Sequence, residues 1–285
     1  MNSSWLERRV IAFAHQGGSF EGPSSTLHAI EHALAQGATA IELDVHATLD
    51  RQIVVCHDET VDRTTNHQGA IAQKTLRELQ EMDNAYWWIT GDAVTLDRPE
   101  HEYVYRGRAP RDRRFGIATL EEVVRTFPGV LLNMDLKQTA PDVEPYEELL
   151  AEELRHLERT DSVIVASFHD EAIAAFRRVA PEVATSGATN ETAAFYFSLR
   201  DDSPVLAPEV CALQVPATFG DVVVVDERFV VAAHELGAAV HVWTINDVDE
   251  MVRLLDLGVD GIISDTPTTL CNLLAERGCG WDAKL

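Results

Sequence analysis

The stretch Ala239-Val240-His241-Val242-Trp243-Thr244 and the later run Gly261-Ile262-Ile263-Ser264-Asp265 decide the fold class of this chain. Both are almost continuously apolar, as expected for β-strands that are covered on both faces of a sheet. Between them, Val248 to Leu257 carries apolar side chains at helical spacing and is followed by Gly258, a residue suited to a helix C-terminus. A strand, a helix and a second strand in this order predict a parallel β-α-β unit.

The same alternation runs through the rest of the chain. Further strands are predicted at Val10 to His15, Ala40 to His46, Ile53 to His57, Val130 to Leu136, Val163 to Phe168 and Cys211 to Val215. Further helices are predicted at Thr26 to Gln36, Thr119 to Phe127, Tyr146 to Glu158, Asp170 to Val179 and Glu227 to Leu236. A closed barrel and an open doubly wound sheet both satisfy this order. Polar residues follow the strands over the whole chain, which favours an α/β fold of the TIM (β/α)8 barrel type, because barrel active sites are built at strand C-termini.

Residues 83–115 interrupt the pattern and combine aromatic residues and prolines with a cluster of arginines, Arg106, Arg108, Arg111, Arg113 and Arg114. We expect them to form a small, mostly irregular insertion within a single barrel domain that spans residues 1–285. The aromatic residues could cap the barrel mouth. The arginines either pair with surface carboxylates, as most charge clusters do, or contact a substrate.

The charge balance limits the substrate. The chain has 23 Lys and Arg against 47 Asp and Glu, a formal net charge of −24 over 285 residues. A field of this sign repels polyanions, so we expect no nucleic acid partner and no docking on anionic lipid through a basic patch. A small or zwitterionic phosphate ester fits better.

The cysteines and the N-terminal region indicate a cytoplasmic protein. Cys56, Cys211, Cys271 and Cys279 form no close CxxC pair and are expected to be free thiols. The apolar run Val10 to Ala14 is too short to span a membrane and lacks a signal-peptide pattern. We therefore expect no stable membrane anchoring. The oligomeric state stays open.

Two charged pairs at strand ends suggest a metal site. In Glu42-x-Asp44 and Asp135-x-Lys137 the two-residue spacing puts both charged groups on one face of a strand, which in a barrel points inward. Buried carboxylates without a compensating charge are costly. Glu42, Asp44 and Asp135 offer hard oxygen ligands for one divalent cation, Mg²⁺ or Ca²⁺, with Mn²⁺ also compatible. A structural ion network in which Lys137 and backbone donors hold the carboxylates remains the alternative.

Two histidines, His15 and His57, close apolar strands and are expected at the same rim. Beside a metal, one imidazole can take a proton from an attacking oxygen while the other delivers one to the leaving alkoxide. The cation and Lys137 would offset charge on the phosphoryl oxygens. Either histidine alone is more often structural, but both together with the charged pairs favour a role in acid/base chemistry.

These residues belong to an ordered series of motifs that resembles the glycerophosphodiester phosphodiesterase family over almost the whole chain. The series comprises Ala14 to Gly17, Pro23 to Leu27, Gly37 to Val45, Val54 to Asp58, Asp62 to Thr65, Leu132 to Lys137, Ser167-Phe168, Val242 to Asn246 and Gly258 to Pro267. The resemblance implies a TIM barrel that hydrolyses glycerophosphodiesters to an alcohol and glycerol 3-phosphate with Mg²⁺ or Ca²⁺.

Carried over position by position, the resemblance implies three groups of site residues. The acid/base pair is His15 and His57, the metal ligands are Glu42, Asp44 and Asp135, and the substrate-binding residues are Gln16, Lys137 and Trp243. Trp243 would form an apolar wall for the glycerol or leaving group, although a packing role is equally open.

Three positions depart from the family pattern. The family has Arg where this chain has Gln16, so a guanidinium able to bind phosphate through two hydrogen bonds is missing. A Pro-Glu-Asn-Thr segment reads Pro23-Ser24-Ser25-Thr26 here, so the carboxylate that would pair with that Arg is missing too, and we expect the two losses to be coupled. Asp135 stands where Glu is usual. Arg106, Arg108 or another arginine of residues 83–115 could replace the lost charge. We expect catalysis to be retained and the preferred ester to differ.

Two other functions stay open. One is a phospholipase D-like lyase that forms a cyclic phosphate from a lysophospholipid, which would need an apolar groove beside the metal. The other is a non-catalytic barrel that binds phosphoesters, suggested by the loss of Arg and Glu. The retention of His15 and His57 argues against this second alternative.

Overall fold

The computed structural model describes residues 10–201 and 210–280 of the chain. Its strands are β1 (Ile11–His15), β2 (Ala40–Ala47), β3 (Ile53–Val55), β4 (Ala118–Thr119), β5 (Leu131–Leu136), β6 (Val163–Ala166), β7 (Ala184–Thr185), β8 (Ala212–Pro216), β9 (Thr218–Phe219), β10 (Val222–Val223), β11 (Ala239–Trp243) and β12 (Gly261–Ser264). Its helices are α1 (Leu27–Ala35), α2 (Leu76–Gln80), α3 (Leu120–Thr126), α4 (Glu147–His156), α5 (Asp170–Val179), α6 (Thr189–Ser198), α7 (Glu227–Glu235), α8 (Val248–Leu257) and α9 (Pro267–Arg277).

Eight parallel strands form a barrel in chain order, β1, β2, β5, β6, β7, β8, β11 and β12. β12 pairs with β1, and a parallel bridge between Ser186 and Ala212 joins the end of β7 to β8, so the ring of strands is continuous. The helices that follow these strands alternate with them along the chain. The predicted α/β TIM (β/α)8 barrel is confirmed.

One predicted barrel strand is wrong. Ile53 to His57 contributes only the short strand β3, which pairs antiparallel with β2 and with β4 and lies outside the ring. The remaining place in the barrel is taken by β7, which is two residues long and which the sequence pattern did not predict. Helices α6 and α9 were also not predicted.

The barrel interior and its outer layers have separate apolar cores. Alternate strand residues point inward and form an interior cluster of Ile11, Phe13, Ala40, Ile164, Ala212, Ala239 and Ile263. The residues between them point outward and pack against the helices in two larger clusters, one on each side of the barrel. Apolar side chains fill this part of the barrel interior, and the polar groups lie at the C-terminal ends of the strands.

Local signals fix where the helices begin and end. At α8 the Asp247 side chain accepts a hydrogen bond from the Glu250 N–H, and Gly258 ends the helix with a φ of 84°. Such an N-cap stabilises a helix by about 1 kcal/mol. These caps hold α8 between β11 and β12, two strands whose ends carry polar site residues.

Residues 83–115 lie between β3 and β4 and are largely irregular. They contact the loop after β1 through Trp88 Nε1, which donates to the Ser19 carbonyl at 2.8 Å, and through the Gly91 N–H, which donates to the Phe20 carbonyl at 2.8 Å. Within residues 10–201 and 210–280, no helix has the length and apolar character needed to cross a bilayer.

Candidate active site

Strand register brings the predicted carboxylates together. In the β1–β2 pair His15 lies opposite Glu42, and in the β2–β5 pair Asp44 lies opposite Asp135. Because strand side chains alternate, Glu42 and Asp44 share the interior face, and all three acidic residues are buried. The structure therefore places them side by side at the C-terminal ends of adjacent barrel strands.

Lys137 bridges two of these carboxylates. Its Nζ lies 3.0 Å from Asp44 Oδ1 and 3.1 Å from Asp135 Oδ2. Burial alone would lower the pKa of Lys137, but the negative charges of Asp44 and Asp135 outweigh this effect and raise the pKa above its usual value. The ammonium therefore stays charged. The ion network weighed above as an alternative to a metal site is thus present, with one ammonium facing three carboxylates.

Lys137 does not satisfy every oxygen of this centre. Burial, together with the charges of neighbouring carboxylates, raises the pKa of both Glu42 and Asp135. Asp44 Oδ2 and Asp135 Oδ1 are buried and have no hydrogen-bond partner within residues 10–201 and 210–280. Groups with these properties favour a cation.

The donor set therefore fits a divalent cation such as Mg²⁺, Ca²⁺ or Mn²⁺. Among the residues that the structure describes, no three His, Cys, Asp or Glu side chains already stand in a metal-binding arrangement. Lys137 Nζ, bound to both Asp44 and Asp135, lies where these two carboxylates converge. Glu42, Asp44 and Asp135 are the residues that could hold such a cation.

His15, the last residue of β1, is bound to a carboxylate on one side. Its Nδ1 donates to Asp265 Oδ1 at 2.6 Å, while its Nε2 lies 3.9 Å from Glu42 Oε2. Burial alone would lower the pKa of His15, but the hydrogen bond to Asp265 and the negative charges of Glu42 and Asp265 raise it to about 9. The ring therefore presents Nε2 to the acidic centre, the group formed by Glu42, Asp44 and Asp135.

His57 reaches the same place from outside the ring of strands. It follows β3, and its ring centroid lies 6.4 Å from that of His15 at an interplanar angle of 84°. Its Nδ1 donates to Asp58 Oδ1 at 2.6 Å, and Arg63 donates to both oxygens of Asp58 at 2.6 and 2.9 Å. Burial alone would raise the pKa of Asp58, but the hydrogen bonds from His57 and Arg63 lower it well below its usual range.

Gln16 connects the two departures from the family pattern. The Ser24 hydroxyl donates to Gln16 Oε1 at 2.6 Å, and Gln16 Nε2 lies 3.2 Å from His15 Nε2. Both Gln16 and Ser24 are buried. A neutral, hydrogen-bonded pair thus occupies the place where the family pattern puts Arg and Glu.

Trp243 lies beside Phe168. It ends β11, is partly exposed, and packs edge-on against Phe168 with ring centroids 5.6 Å apart. Phe168 is 57% exposed, and Lys137 Nζ lies 5.9 Å from its ring centroid. The predicted phosphate contact and an apolar surface therefore adjoin each other.

Two arginines of residues 83–115, Arg106 and Arg113, make close contacts within or next to this segment. The Arg106 guanidinium lies over the rings of Tyr103, Tyr86 and Trp87 at 3.7, 4.4 and 4.7 Å. Arg113 donates to the carbonyls of Gln80 and Ile117. Arg106 therefore has aromatic partners within its own segment, and the hypothesis that an arginine of residues 83–115 replaces the lost charge stays a prediction.

Some groups around the site were not predicted. Asp265 lay in a motif quoted above, and Asp58 and Arg63 lay in two others, but none had been given a role. Asp265 and His15 are 250 positions apart, and only the closure of β12 onto β1 brings them together. The position of Asp265 directly after a barrel strand was the one available signal.

Comparisons with known proteins agree with this geometry. A family model described as the glycerophosphoryl diester phosphodiesterase family matches residues 15–269. The chain is 29% identical over 261 residues to a glycerophosphodiester phosphodiesterase of Bacillus altitudinis, covering 90% of this chain and 94% of that protein. It is 28% identical over 274 residues to one of Caldanaerobacter subterraneus subsp. tengcongensis, covering 95% of this chain and 100% of that protein.

Solved structures show the same barrel. The glycerophosphoryl diester phosphodiesterase domain of a Mycobacterium tuberculosis protein superposes with a TM-score of 0.77 at 20% identity, over 93% of this chain and 99% of that domain. An Oleispira antarctica phosphodiesterase in complex with the product sn-glycerol-3-phosphate superposes with a TM-score of 0.69 at 23% identity, over 95% and 99% of the two chains. The family match over nearly the whole barrel, together with the fold, establishes that this chain belongs to the glycerophosphoryl diester phosphodiesterase family.

Proposed function

We propose that this protein hydrolyses a glycerophosphodiester to an alcohol and glycerol 3-phosphate, with His15 and His57 as its acid/base pair. One observation carries the proposal: two imidazoles lie 6.4 Å apart beside a buried acidic centre, and the Nδ1 of each is bound to a carboxylate. The family relatives and the solved structure with bound sn-glycerol-3-phosphate support the same reaction.

The proton transfers follow from this pairing. An oxygen, either of water or of the substrate's own glycerol hydroxyl, attacks phosphorus while one histidine accepts its proton. The bond from phosphorus to the leaving alcohol breaks, and the other histidine donates a proton to the departing alkoxide. Attack by water gives glycerol 3-phosphate directly. Attack by the glycerol hydroxyl gives a cyclic phosphate, and a water molecule must then attack phosphorus and break one ring P–O bond, with the same two proton transfers, to give glycerol 3-phosphate. Because Nδ1 is bound in both rings, Nε2 is the nitrogen that exchanges these protons.

The acidic centre and Lys137 have a second task. Glu42, Asp44 and Asp135 would hold a divalent cation, Mg²⁺, Ca²⁺ or Mn²⁺, and that cation supplies positive charge to the phosphoryl oxygens. Lys137 contacts the phosphate as a further positive group, and Gln16 offers a neutral donor to it. Trp243 lines the place of the alcohol or glycerol group.

A second candidate is favoured by the surface that Phe168 and Trp243 form. An exposed aromatic pair beside Lys137 suits an acyl chain, so a phospholipase D-like lyase that forms a cyclic phosphate from a lysophospholipid is the competing function. The product distinguishes the two, since a persistent cyclic phosphate indicates a lyase and a free monoester indicates a hydrolase.

The test is a substrate screen with glycerophosphocholine, glycerophosphoethanolamine, glycerophosphoglycerol and lysophospholipids in Mg²⁺, Ca²⁺, Mn²⁺ or EDTA. We expect turnover with a cation and its loss in EDTA. His15→Ala and His57→Ala should each lower kcat at least ~100-fold, the usual scale of acid/base contributions.

His234→Ala is the matched control, because His234 also pairs with a carboxylate, Asp260, at 2.8 Å but lies away from the site. It should leave kcat unchanged. Full turnover by both His15→Ala and His57→Ala would refute the assigned roles.

A further inference from the structure

The Asp265 carboxylate lies at the centre of a hydrogen-bond network beside His15. Its Oδ1 accepts from His15 Nδ1 and from the Ser19 hydroxyl, both at 2.6 Å, and its Oδ2 accepts from Asn246 Nδ2 at 2.8 Å. Asp265 is buried. Since Ser19 and Asn246 are neutral donors, they orient the carboxylate and leave its negative charge in place.

The backbone of Asp265 is fixed as firmly as its side chain. Asn246 Oδ1 accepts from the Asp265 N–H at 2.8 Å and from the Ser264 hydroxyl at 3.0 Å. The Asp265 carbonyl accepts from the Phe20 N–H at 3.2 Å. The loops after β1, β11 and β12 therefore meet at this residue, and a rotation of its carboxylate would break three hydrogen bonds.

This arrangement decides which nitrogen of His15 faces the site. With Nδ1 bound to Asp265, Nε2 points to the acidic centre, 3.9 Å from Glu42 Oε2. Without an acceptor at Nδ1, the ring could turn away, and whenever it is neutral it could carry its proton on Nε2 instead. A carboxylate behind an imidazole is a known means of fixing both tautomer and orientation.

We propose that Asp265 is a positioning residue, which fixes the ring orientation and tautomer of His15 so that Nε2 meets the phosphodiester. For its effect on turnover this inference rests on the proposed function. The orientation of the ring, in contrast, can be measured on the protein without substrate.

The kinetic test uses Asp265→Asn, which keeps the shape of the side chain and removes its charge. We expect kcat to fall about 100-fold. KM for glycerophosphocholine should stay within about threefold, because a misplaced histidine affects the reaction step more than binding. Asp265→Glu retains a carboxylate and should recover about a tenth to a third of the wild-type kcat, by the order of magnitude that partners of a functional histidine contribute.

Asp260→Asn is the matched control. Asp260 and Asp265 flank the two ends of the same strand, β12, and Asp260 accepts from His234 Nε2 at 2.8 Å. Removing this remote carboxylate should leave kcat unchanged. If Asp265→Asn does not fold, Asp265→Ser takes its place, and a wild-type kcat in that variant would overturn the proposal.

The structural test is the proton resonance of the His15 ring. A proton on a 2.6 Å bond between Nδ1 and a carboxylate resonates far downfield. Its loss in His15→Gln separates it from the corresponding signal of His57. We expect this resonance to disappear in Asp265→Asn and to remain in Asp260→Asn.

The outcomes are distinguishable. Persistence of the His15 resonance in Asp265→Asn, or equal kcat in Asp265→Asn and Asp260→Asn, overturns the proposal. An inactive wild-type protein whose His15 resonance still depends on Asp265 would count against the proposed function, and it would support the placement of His15 by Asp265.

Discussion

Gln16 concentrates several constraints in one residue. Its φ of 53° lies in the left-handed region, which residues other than Gly seldom adopt, and its N–H donates to Glu42 Oε2 at 3.1 Å. Its side chain lies between Ser24 and His15. The expected coupling between the departures at positions 16 and 24 is visible as a direct hydrogen bond. A neutral pair here lowers the positive charge available to a phosphate dianion.

Restoring the family's residues one at a time should therefore be harmful. Gln16→Arg buries a guanidinium without its carboxylate, and Ser24→Glu adds a buried carboxylate without its guanidinium. Breaking or omitting one partner of a buried pair costs about 3–5 kcal/mol. We expect each single variant to lose stability on this scale, measured as the free energy of unfolding in urea.

The double variant Gln16→Arg/Ser24→Glu should lose less stability than the two single losses added together, by about 0.5–3 kcal/mol, the range for directly interacting residues. It should also bind glycerol 3-phosphate more tightly than the wild type, as a product-inhibition constant would show. Additive stability effects would mean that positions 16 and 24 are independent.

At the residue scale the sequence was more informative about reacting groups than about their partners. His15, Glu42, Asp44 and Asp135 could be grouped because each lies at a strand end, where barrel chemistry gathers. The partners depend on how loops approach one another, as with Asn246, which meets both the backbone and the side chain of Asp265. No periodicity in the chain encodes such an approach.

At the element scale, the pairing of β2 with β5 creates the acidic centre. Asp44 and Asp135 are directly opposite in this pair, and Lys137 follows two residues later on the same face. Two carboxylates at opposite positions of neighbouring strands repel each other and destabilise the pair unless a positive charge lies between them. The pair is therefore the place where binding of a cation would stabilise the fold.

We expect Mg²⁺, Ca²⁺ or Mn²⁺ to raise the melting temperature of the EDTA-treated protein. A ligand at a hundred times its Kd adds about 2.7 kcal/mol to stability. Thermal melts should show this rise in the wild type and its loss in Asp44→Asn. Glu153→Gln, which alters an acidic residue whose pKa is raised by burial and by Glu121 outside the site, should keep the response. An equal rise in Asp44→Asn would place the cation elsewhere.

The elements that were mispredicted have identifiable physical reasons. β3 has the β-branched composition of a barrel strand, but the turn between Ala47 and Ile53 returns the chain as an antiparallel neighbour of β2. β7 is too short to show any alternation. Helix α6 carries its apolar residues in an unbroken run, Ala193 to Phe197, so helical spacing is hidden. His57 still reached the site, since β3 ends beside β2.

At the scale of the whole molecule, the barrel encloses a histidine with a role in stability. His241 is fully buried against Phe13, with ring centroids 4.9 Å apart, and Gln214 Nε2 lies 3.3 Å from its Nδ1. Gly261 makes this possible, because a Cβ there would lie 2.8 Å from both rings. Burial lowers the pKa of His241 to about 4.

The protein should therefore lose stability in mild acid. Between pH 6.5 and about 4 the unfolded chain protonates this histidine while the folded barrel keeps it neutral, so the free energy of unfolding falls as the pH falls through this window. The lowered pKa corresponds to about 3 kcal/mol. The destabilisation caused by His241→Gln should shrink by that amount from pH 7 to pH 4 in urea titrations. A constant difference at both pH values would contradict this origin.

The hydrogen bonds from Trp88 and Gly91 to the carbonyls of Ser19 and Phe20 have a practical consequence for reading sequence variants. A segment that contributes none of the reacting groups clamps the loop that carries Ser19. In a mutational scan scored by turnover, damaging substitutions should consequently accumulate around Trp88. Sensitive positions in such a scan should include the residues around Trp88 as well as the reacting groups. A prediction based only on distance from the two histidines would therefore miss some of the sensitive positions.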